Sequence, residues 1–387
     1  MGGSTTLRRS SSLRKLLLAA LLLVVLGVLV YRSRGAINLR DFSWERFLDA
    51  VGEAHGGLLL ASLGAIYAGY ALRALRWMRF SRYLGRPSFW SLYSSTIIGF
   101  TTIFLLGRAG EPVRPLLIAR KDRLPVSSMF GIYVLERVFD GASTVVLAGI
   151  GLLAIRRMAA TDGSHSGFFS AARAGGLALM AGLLAAIIFL VYFRLGGAAA
   201  LERRMVGWRA AAGWKRRFAG LFTGFSEGLQ AIRTLPDLLA AVGYSAAHWF
   251  AVALIYVWVP HSFGGRLAEI DFSDAMLVLA FTLLGSTVQL PGIGGGSQLA
   301  SFLAFTVVFG VEKEPAAAAS IMLWLVTFAA SSLVGVPLLI REGWSMGELR
   351  RLARAEAEAE AAGEHVAVPQ APRAQPRQPA KPGDAPR

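Results

Sequence analysis

The chain contains no cysteine among its 387 residues. Disulfides, thiolate zinc sites, iron–sulfur clusters and cysteine nucleophiles are therefore excluded, whichever side of a membrane its loops face. The five histidines are scattered without the i, i+4 spacing of a helical metal pair, and neither a P-loop nor a His-Glu-x-x-His motif occurs. We therefore expect no metal and no cofactor, and the sequence disfavours ATP-driven transport and metalloprotease chemistry.

Charged residues are scarce, at 17% of the chain, whereas 55% of the residues are hydrophobic and the mean hydropathy is +0.52. This composition is typical of a protein embedded in a bilayer. Acidic residues are the rarer sign, with 24 Asp and Glu against 40 Lys and Arg. The basic residues lie between apolar runs, mainly in 1–34, 73–126 and 194–233, which indicates membrane-protein loops rather than a nucleic-acid-binding face.

Long apolar runs recur along the chain, and about 20 apolar residues suffice for a helix to cross a bilayer. The candidate spans are 16–31, 56–78, 127–155, 174–195, 237–260, 272–290 and 315–340. Two further runs, 92–107 and 291–309, are interrupted by Ser, Thr, Gly or Pro and are candidate re-entrant or discontinuous helices. We predict an all-α polytopic membrane protein with roughly eight transmembrane helices and one or two broken or re-entrant segments.

The distribution of basic residues orients the chain. Residues 16–31 follow four basic residues without a small-x-small cleavage site, which favours a membrane anchor over a signal peptide. If 92–107 dips into the membrane and returns, the basic loops share one side, and a crossing by 291–309 brings the C-terminus to that side. We therefore predict a multi-pass protein of the bacterial inner membrane with both termini in the cytoplasm.

Composition divides the chain into three parts. Residues 1–55 comprise a basic segment, the first transmembrane helix and a linker, and 56–342 form the membrane domain. Residues 343–387 are rich in Ala, Glu and Arg and then in Pro, which predicts a disordered cytoplasmic tail. Residues 199–235 mix aromatic and basic residues at helical spacing, as either an interfacial amphipathic helix or a plain connecting helix does.

Three charged residues lie well inside the 127–155 run, namely Glu136, Arg137 and Asp140. An ionised side chain at such a position costs about 2.5–3.5 kcal/mol unless it is paired or hydrated. Glu136 and Asp140 share one helix face, and two acids exceed one base. The cluster therefore needs an external cation or a further arginine, although a purely structural ion network is the alternative.

Two regions supply arginines for this cluster. Arg73 and Arg76 lie one turn apart near the end of the 56–78 run, where they either face inward or extend to the membrane surface. Arg108 and Arg114 flank Glu111 in a segment interrupted by glycine and proline. Since the planar guanidinium offers paired donors, this segment suits phosphate, whereas a plain basic loop is the alternative.

A second glycine-rich segment, PGIGGGSQ at 291–298, precedes an apolar helix. Its Gly294, Gly295 and Gly296 leave backbone N–H groups free at a helix start, where a phosphate or carboxylate can bind. A kink or a close helix contact requires the same residues.

Four features follow one another along the chain, namely the pair Arg73 and Arg76, the GRAGEPVR stretch, the ERVFD cluster and the PGIGGG stretch. In these features and their order, the chain from about residue 55 to 342 resembles the lysylphosphatidylglycerol synthase transmembrane, or flippase-like, family. The resemblance implies an inner-membrane domain which, in the multiple peptide resistance factor, is associated with moving an aminoacylated phospholipid between leaflets. The chain departs from the family at Leu106, where proline is common, and at Gln298, where glutamate is common. No soluble transferase domain follows, so aminoacyl transfer is not expected.

We therefore expect a non-enzymatic translocase or binding protein for an anionic phospholipid or a polyprenyl-linked lipid. The residues expected to bind phosphate are Arg73, Arg76, Arg108, Arg114, Arg137, Gly294, Gly295 and Gly296, and those expected to balance charge are Glu111, Glu136 and Asp140. One alternative is a membrane-embedded transferase with Glu136 or Asp140 as base or metal ligand. Another is a non-transporting scaffold, and the sequence is also compatible with a homo-oligomer.

Overall fold

The computed structural model of the protein describes residues 42–161, 228–286 and 294–343, and, singly, residues 181, 223, 226, 289, 290, 292 and 347. The predicted anchor at 16–31, nearly all of the predicted span at 174–195, most of 199–235 and nearly all of the predicted tail lie outside the described residues.

The described chain is almost entirely helical. Its elements are α1 (Trp44–Glu53), α2 (Gly56–Ser81), α3 (Phe89–Leu106), α4 (Val113–Lys121), α5 (Val126–Thr161), α6 (Leu235–Ser262), α7 (Phe272–Gly285), β1 (Gln289–Leu290), β2 (Gly294–Gly295), α8 (Gly296–Leu303), α9 (Lys313–Trp324) and α10 (Ala330–Arg341). Short 3-10 helices occupy Gly107–Gly110 and Gly265–Glu269, and π-helical turns at Ala304–Val308 and Leu325–Ala329 extend α8 and join α9 to α10. The strands β1 and β2 form a two-residue antiparallel pair.

Several of these helices are long and apolar enough to cross a bilayer. They are Gly56–Ser81, Phe89–Gly110, Leu235–Ser262 and Lys313–Arg341. The predicted spans at 56–78, 237–260 and 315–340 lie within or largely within three of them. Together with the shorter apolar helices, they confirm the prediction of an all-α polytopic membrane protein.

Local sequence fixes where α6 and α7 begin. The Thr234 hydroxyl accepts a hydrogen bond from the Asp237 backbone N–H, and the Asp237 carboxylate accepts one from the backbone of Thr234. Asp271 and Asp274 form the same reciprocal arrangement before α7. Each capping box satisfies two backbone donors that a helix start leaves unpaired.

Helices α2 and α6 pack antiparallel and define the two ends of the bundle. At one end Arg82 forms an ion pair of 3.0 Å with Asp237, and at the other the His55 N–H donates to the Ser262 carbonyl at 2.7 Å. The first of these ends also carries Lys121 and Arg341. We call it the basic end, and the other the opposite end.

Helices α3 and α4 form a hairpin that starts and finishes at the basic end. The Ser91 hydroxyl, in the first turn of α3, donates to Asp122 just after α4 at 2.8 Å. Deeper in the bundle, the Thr102 hydroxyl donates to the Gly110 carbonyl at 3.2 Å. The segment 92–107 therefore enters the bundle and the chain returns beside it, as the distribution of basic residues predicts.

Helices α7 and α8 form a second hairpin, from the opposite end. Arg266, before α7, donates to the Gly310 carbonyl, after α8, at 2.8 Å, whereas the last residue of α7, Gly285, lies against Gly296 at the start of α8. The 14 residues of α7 rise about 21 Å, less than the hydrocarbon thickness of about 30 Å. Helix α8, within 291–309, is therefore the returning arm of a hairpin, which favours the re-entrant alternative for this segment over a crossing.

The tips of the two hairpins contact each other. The Gly292 N–H donates to the carbonyl of Phe104 at 2.8 Å, and the Phe104 ring lies 5.7 Å from that of Trp324 in α9. Both segments that the sequence marks as broken thus end at one junction.

Because the backbone packs closely at the tip of the first hairpin, a single added methyl group there is expected to destabilise the protein. A Cβ atom at Gly110 overlaps the Thr102 carbonyl and lies 2.6 Å from the Ile103 nitrogen, so Gly110→Ala is expected to destabilise the fold by about 1–3 kcal/mol. Gly141→Ala is the matched control, because a Cβ atom there has no neighbour within 4 Å and alanine favours a helix by about 0.5–1 kcal/mol. Thermal unfolding in detergent measures both, and equal unfolding temperatures contradict the prediction.

Candidate functional site

Two arginines of α2 meet two carboxylates of α5 in the interior of the bundle. Arg73 Nη1 lies 2.8 Å from both Glu136 Oε1 and Asp140 Oδ2. Arg76 Nη2 lies 2.7 Å from Glu136 Oε1 and 2.9 Å from Asp140 Oδ1. The i, i+3 pair on one helix and the i, i+4 pair on the other each present a single face, so every arginine reaches both acids.

The α3–α4 hairpin supplies a third arginine. Arg114, in the first turn of α4, places Nη1 2.9 Å from Glu136 Oε2 and 3.2 Å from Oε1, and its guanidinium lies 4.7 Å from the ring centre of Trp77. The approach depends on Gly99 in α3, where a Cβ atom lies only 2.7 Å from the Arg114 Cβ. The glycine lets α4 pack closely enough for Arg114 to reach the carboxylate.

Helix α6 completes the set with two polar side chains that sequence reasoning missed. His248 Nε2 accepts a hydrogen bond from Arg73 Nε at 3.1 Å, and the Ser245 hydroxyl accepts one from Arg76 Nη1 at 2.7 Å. The i, i+3 spacing of a serine and a histidine on an apolar helix was the available signal. It places both on one face but does not reveal the arginines opposite.

These side chains are removed from solvent. Glu136 is 0% exposed, Arg76 1% and Arg114 4%, and Arg73 and Asp140 are also buried. The possibility that Arg73 and Arg76 extend to the membrane surface is therefore wrong. We call Arg73, Arg76, Arg114, Glu136 and Asp140 the arginine cluster. Its members depend on one another, because removing one partner of a buried ion pair costs about 3–5 kcal/mol.

The arginine cluster carries more positive than negative charge. Three buried arginines face two carboxylates, so one positive charge is unbalanced. At its edge lies Arg137, whose side chain is 44% exposed and whose guanidinium is 3.3 Å from Asp140 and 4.9 Å from the Tyr133 ring centre. Glu111 accepts a hydrogen bond from the Tyr133 hydroxyl at 2.6 Å, which places a carboxylate near this edge.

Several buried donors of this region have no hydrogen-bond partner among the described residues. These buried atoms are Arg114 Nε and Nη2, Arg76 Nε and His248 Nδ1. Buried polar groups in proteins are nearly always paired, since leaving one unpaired costs about 1–3 kcal/mol. Arg114 thus engages Glu136 through one nitrogen, and its other two donors have no acceptor among the described residues.

Other residues expected at the site lie elsewhere. Arg108 is exposed in the turn of the first hairpin, and no ion pair links it to another described residue. Gly294, Gly295 and Gly296 lie in the second hairpin, and no hydrogen bond joins them to the arginine cluster within the described part of the chain. The expectation that Arg108 and these glycines join Arg114 and Arg137 in one site is not met.

Gln298 caps the turn that contains Gly294 and Gly295. Its side-chain oxygen accepts a hydrogen bond from the Gly295 N–H, so this donor is used within the hairpin. Gly294 and Gly295 have φ values of 88° and 127°, which residues other than glycine rarely adopt. The glycines therefore serve the turn before α8, and Gln298 acts as a cap without carrying a charge.

Comparison with known proteins places the chain in a family. The family model for the lysylphosphatidylglycerol synthase TM region matches residues 14–335. The chain belongs to this family. The lysylphosphatidylglycerol synthase TM region match spans all of the arginine cluster and both hairpins, and confirms the resemblance found in the sequence. No curated protein and no solved structure matches the chain.

Removal of the Glu136 charge is expected to be strongly destabilising. Glu136→Gln leaves three buried arginines with one carboxylate, and the expected loss is about 3–5 kcal/mol. Adding Arg114→Met to Glu136→Gln removes one unbalanced charge and should recover part of that loss. Thermal unfolding in detergent is the measurement, with the exposed Glu53→Gln as a matched control. A double variant no more stable than Glu136→Gln alone argues against mutual charge compensation.

Proposed function

We propose that the protein translocates an anionic phospholipid or a polyprenyl-linked lipid between the leaflets of a bacterial inner membrane, with the headgroup phosphate bound at the arginine cluster. The observation that carries this proposal is Arg114, which is buried inside a lipid-related membrane domain and pairs with Glu136 through one nitrogen only. Its Nε and Nη2, which have no partner in the described part of the chain, lie on one edge of the guanidinium, where a phosphate can bind through two parallel hydrogen bonds.

The charge of the arginine cluster supports an anionic rather than a cationic ligand. Each ion inside a membrane domain must be compensated, and the two carboxylates compensate only two of the three buried arginines. A phosphate supplies the missing negative charge together with acceptors for the unpaired N–H groups. A cationic headgroup alone would add to the surplus, although a headgroup with both charges can present its phosphate here.

The two hairpins support a route for the lipid headgroup that their joined tips close. Their tips join at Gly292 and Phe104, while the arginine cluster lies between this junction and the basic end. Transporters commonly place their sites beside discontinuous helices that shift to open one side at a time. Parting of the two tips is a motion by which the headgroup could pass from the arginine cluster toward the opposite end.

No ATP-binding motif accompanies this domain, so we propose that lipid gradients or the membrane potential drive movement. The potential contributes about 2.3 kcal/mol per charge per 100 mV, enough to bias the movement of an anionic headgroup. A transferase finds less support, because Glu136 and Asp140 each accept ion pairs from two or more arginines, which stabilises the carboxylate and makes it a poor general base.

Lipid movement in liposomes tests the proposal directly. Fluorescent phosphatidylglycerol, phosphatidylcholine and a polyprenyl phosphate are followed separately with the purified protein. Arg114→Lys keeps a positive charge for Glu136 but removes the planar fork, so translocation of the preferred lipid should fall at least about tenfold. The control is Arg86→Gln, an exposed charge at the basic end, which should leave the rate unchanged.

The variants must share the thermal stability of the wild-type protein for the comparison to hold. Unchanged movement in a folded Arg114→Lys protein contradicts the assignment of phosphate to Arg114. Absence of movement of every lipid in the folded wild-type protein contradicts translocation itself. The lipid that moves fastest identifies the cargo class.

A further inference from the structure

A second polar feature lies at the basic end, apart from the arginine cluster. It is a cavity of about 850 Å³ between the start of α3, the end of α4 and the end of α10. Leu117 of α4 lines it and follows Arg114 by one turn, but no member of the arginine cluster borders it. Helix α4 therefore has the arginine cluster at its beginning and this cavity at its end.

The charged side chains in the wall of this cavity are mostly basic. Arg120, Lys121 and Arg341 line it together with one acid, Glu342. Lys121 Nζ lies 2.5 Å from the Glu342 carboxylate, whereas no ion pair links Arg341 to any described residue. Lys121 is thus balanced by Glu342, and Arg341 contributes a positive charge that is available to an anion.

Two serines of the lining bind within the protein. The Ser94 hydroxyl accepts a hydrogen bond from Lys121 Nζ at 2.9 Å and donates its own hydrogen to the Ser91 carbonyl at 3.1 Å. The Ser91 hydroxyl donates to Asp122 at 2.8 Å. The donors that face an anion are therefore the Arg341 guanidinium and the Lys121 ammonium, and charged donors of this kind bind phosphate oxygens in proteins.

The cavity opens where a bilayer surface is expected. Trp90 lines it, is 72% exposed and lies in the first turn of α3, while Arg341 is the last residue of α10. Exposed tryptophan beside basic residues at helix ends is typical of the interface between hydrocarbon and water. Phosphate groups of lipids lie at this depth.

We propose that this cavity is a phosphate-binding site distinct from the arginine cluster. Arg341 and Lys121 bind the phosphate, and the Glu342 carboxylate is the internal competitor for Lys121. The phosphate belongs either to a lipid headgroup or to a soluble phosphate. The site concerns binding at the basic end, so it stands whether or not the protein moves lipids.

The proposal predicts that removal of the Arg341 charge and removal of the Glu342 charge change phosphate affinity in opposite directions. Arg341→Gln removes a ligand and should weaken phosphate binding about tenfold, the effect of losing one charged hydrogen bond. Glu342→Gln removes the competing carboxylate and frees Lys121, so the same binding should become tighter by severalfold. Damage to the fold weakens binding in both variants and is therefore distinguishable.

Calorimetric titration of the full chain in neutral detergent measures these effects. Inorganic phosphate and dioctanoyl phosphatidylglycerol are titrated separately, so binding of the lipid alone identifies a headgroup and binding of both identifies a general phosphate site. Arg86→Gln is the control for loss of a basic-end charge outside the cavity. Arg114→Lys is titrated in parallel, so that binding lost in this variant is assigned to the arginine cluster and binding lost in Arg341→Gln is assigned to the cavity.

Some results overturn the proposal. It fails if neither probe binds, or if Arg341→Gln and Arg86→Gln bind both probes as the wild-type protein does. It also fails if Arg114→Lys abolishes all binding while Arg341→Gln has no effect, because binding then belongs to the arginine cluster. That last outcome agrees with phosphate binding at the arginine cluster, so the two proposals can fail separately.

Discussion

Two carboxylates inside an apolar helix determine much of the arrangement described above. Glu136 and Asp140 are buried on one face of α5, where an uncompensated charge is among the most costly features a membrane helix can carry. Their compensation comes from other elements, with Arg73 and Arg76 on α2 and Arg114 on α4. The helices are therefore held in register by ion pairs at a depth where apolar contacts with neighbours and with lipid differ little.

The first hairpin follows from the same constraint. Arg114 must reach Glu136 from a segment that starts and ends at the basic end, so the chain has to turn back within the bundle. Gly110 permits the close backbone contact at this turn, and Gly99 leaves room for the Arg114 side chain against α3. The second hairpin enters from the opposite end and meets the first at Phe104, where the Gly292 N–H donates to the Phe104 carbonyl and satisfies one backbone group of the broken segments.

Sequence reasoning predicted the features that depend on local pattern. Apolar runs located α2, α6 and the α9–α10 stretch, and helical spacing placed Glu136 and Asp140 on one face. Features that depend on a distant partner were not predictable in the same way. Arg73 and Arg76 have one local pattern whether they extend to the surface or pair in the interior, and only their contact with α5 decides between the two.

The same limit applies to Arg108 and Arg114. Both flank Glu111 in the sequence, and the local pattern does not distinguish them. The hairpin turn leaves Arg108 exposed and directs Arg114 inward, a difference set by tertiary packing. His248 and Ser245 escaped attention because isolated polar residues on an apolar helix are common, and their arginine partners are far away in sequence. The glycines of the second hairpin were identified correctly as a break, but their backbone serves the turn itself.

The position of α4 connects the two sites that carry surplus positive charge. Arg114 lies in its first turn and Arg120 and Lys121 in its last, so these residues are separated by about 10 Å along the helix axis. On the route that we propose, a phosphate that leaves water at the basic end meets guanidinium and ammonium donors within about two helical turns before it reaches the interior. Since dehydration is the main cost of moving an anion into a membrane domain, closely spaced cations along one short helix lower that cost stepwise. Burial within the bundle makes the deeper site the stronger electrostatic partner, while the shallower one remains accessible to exchange.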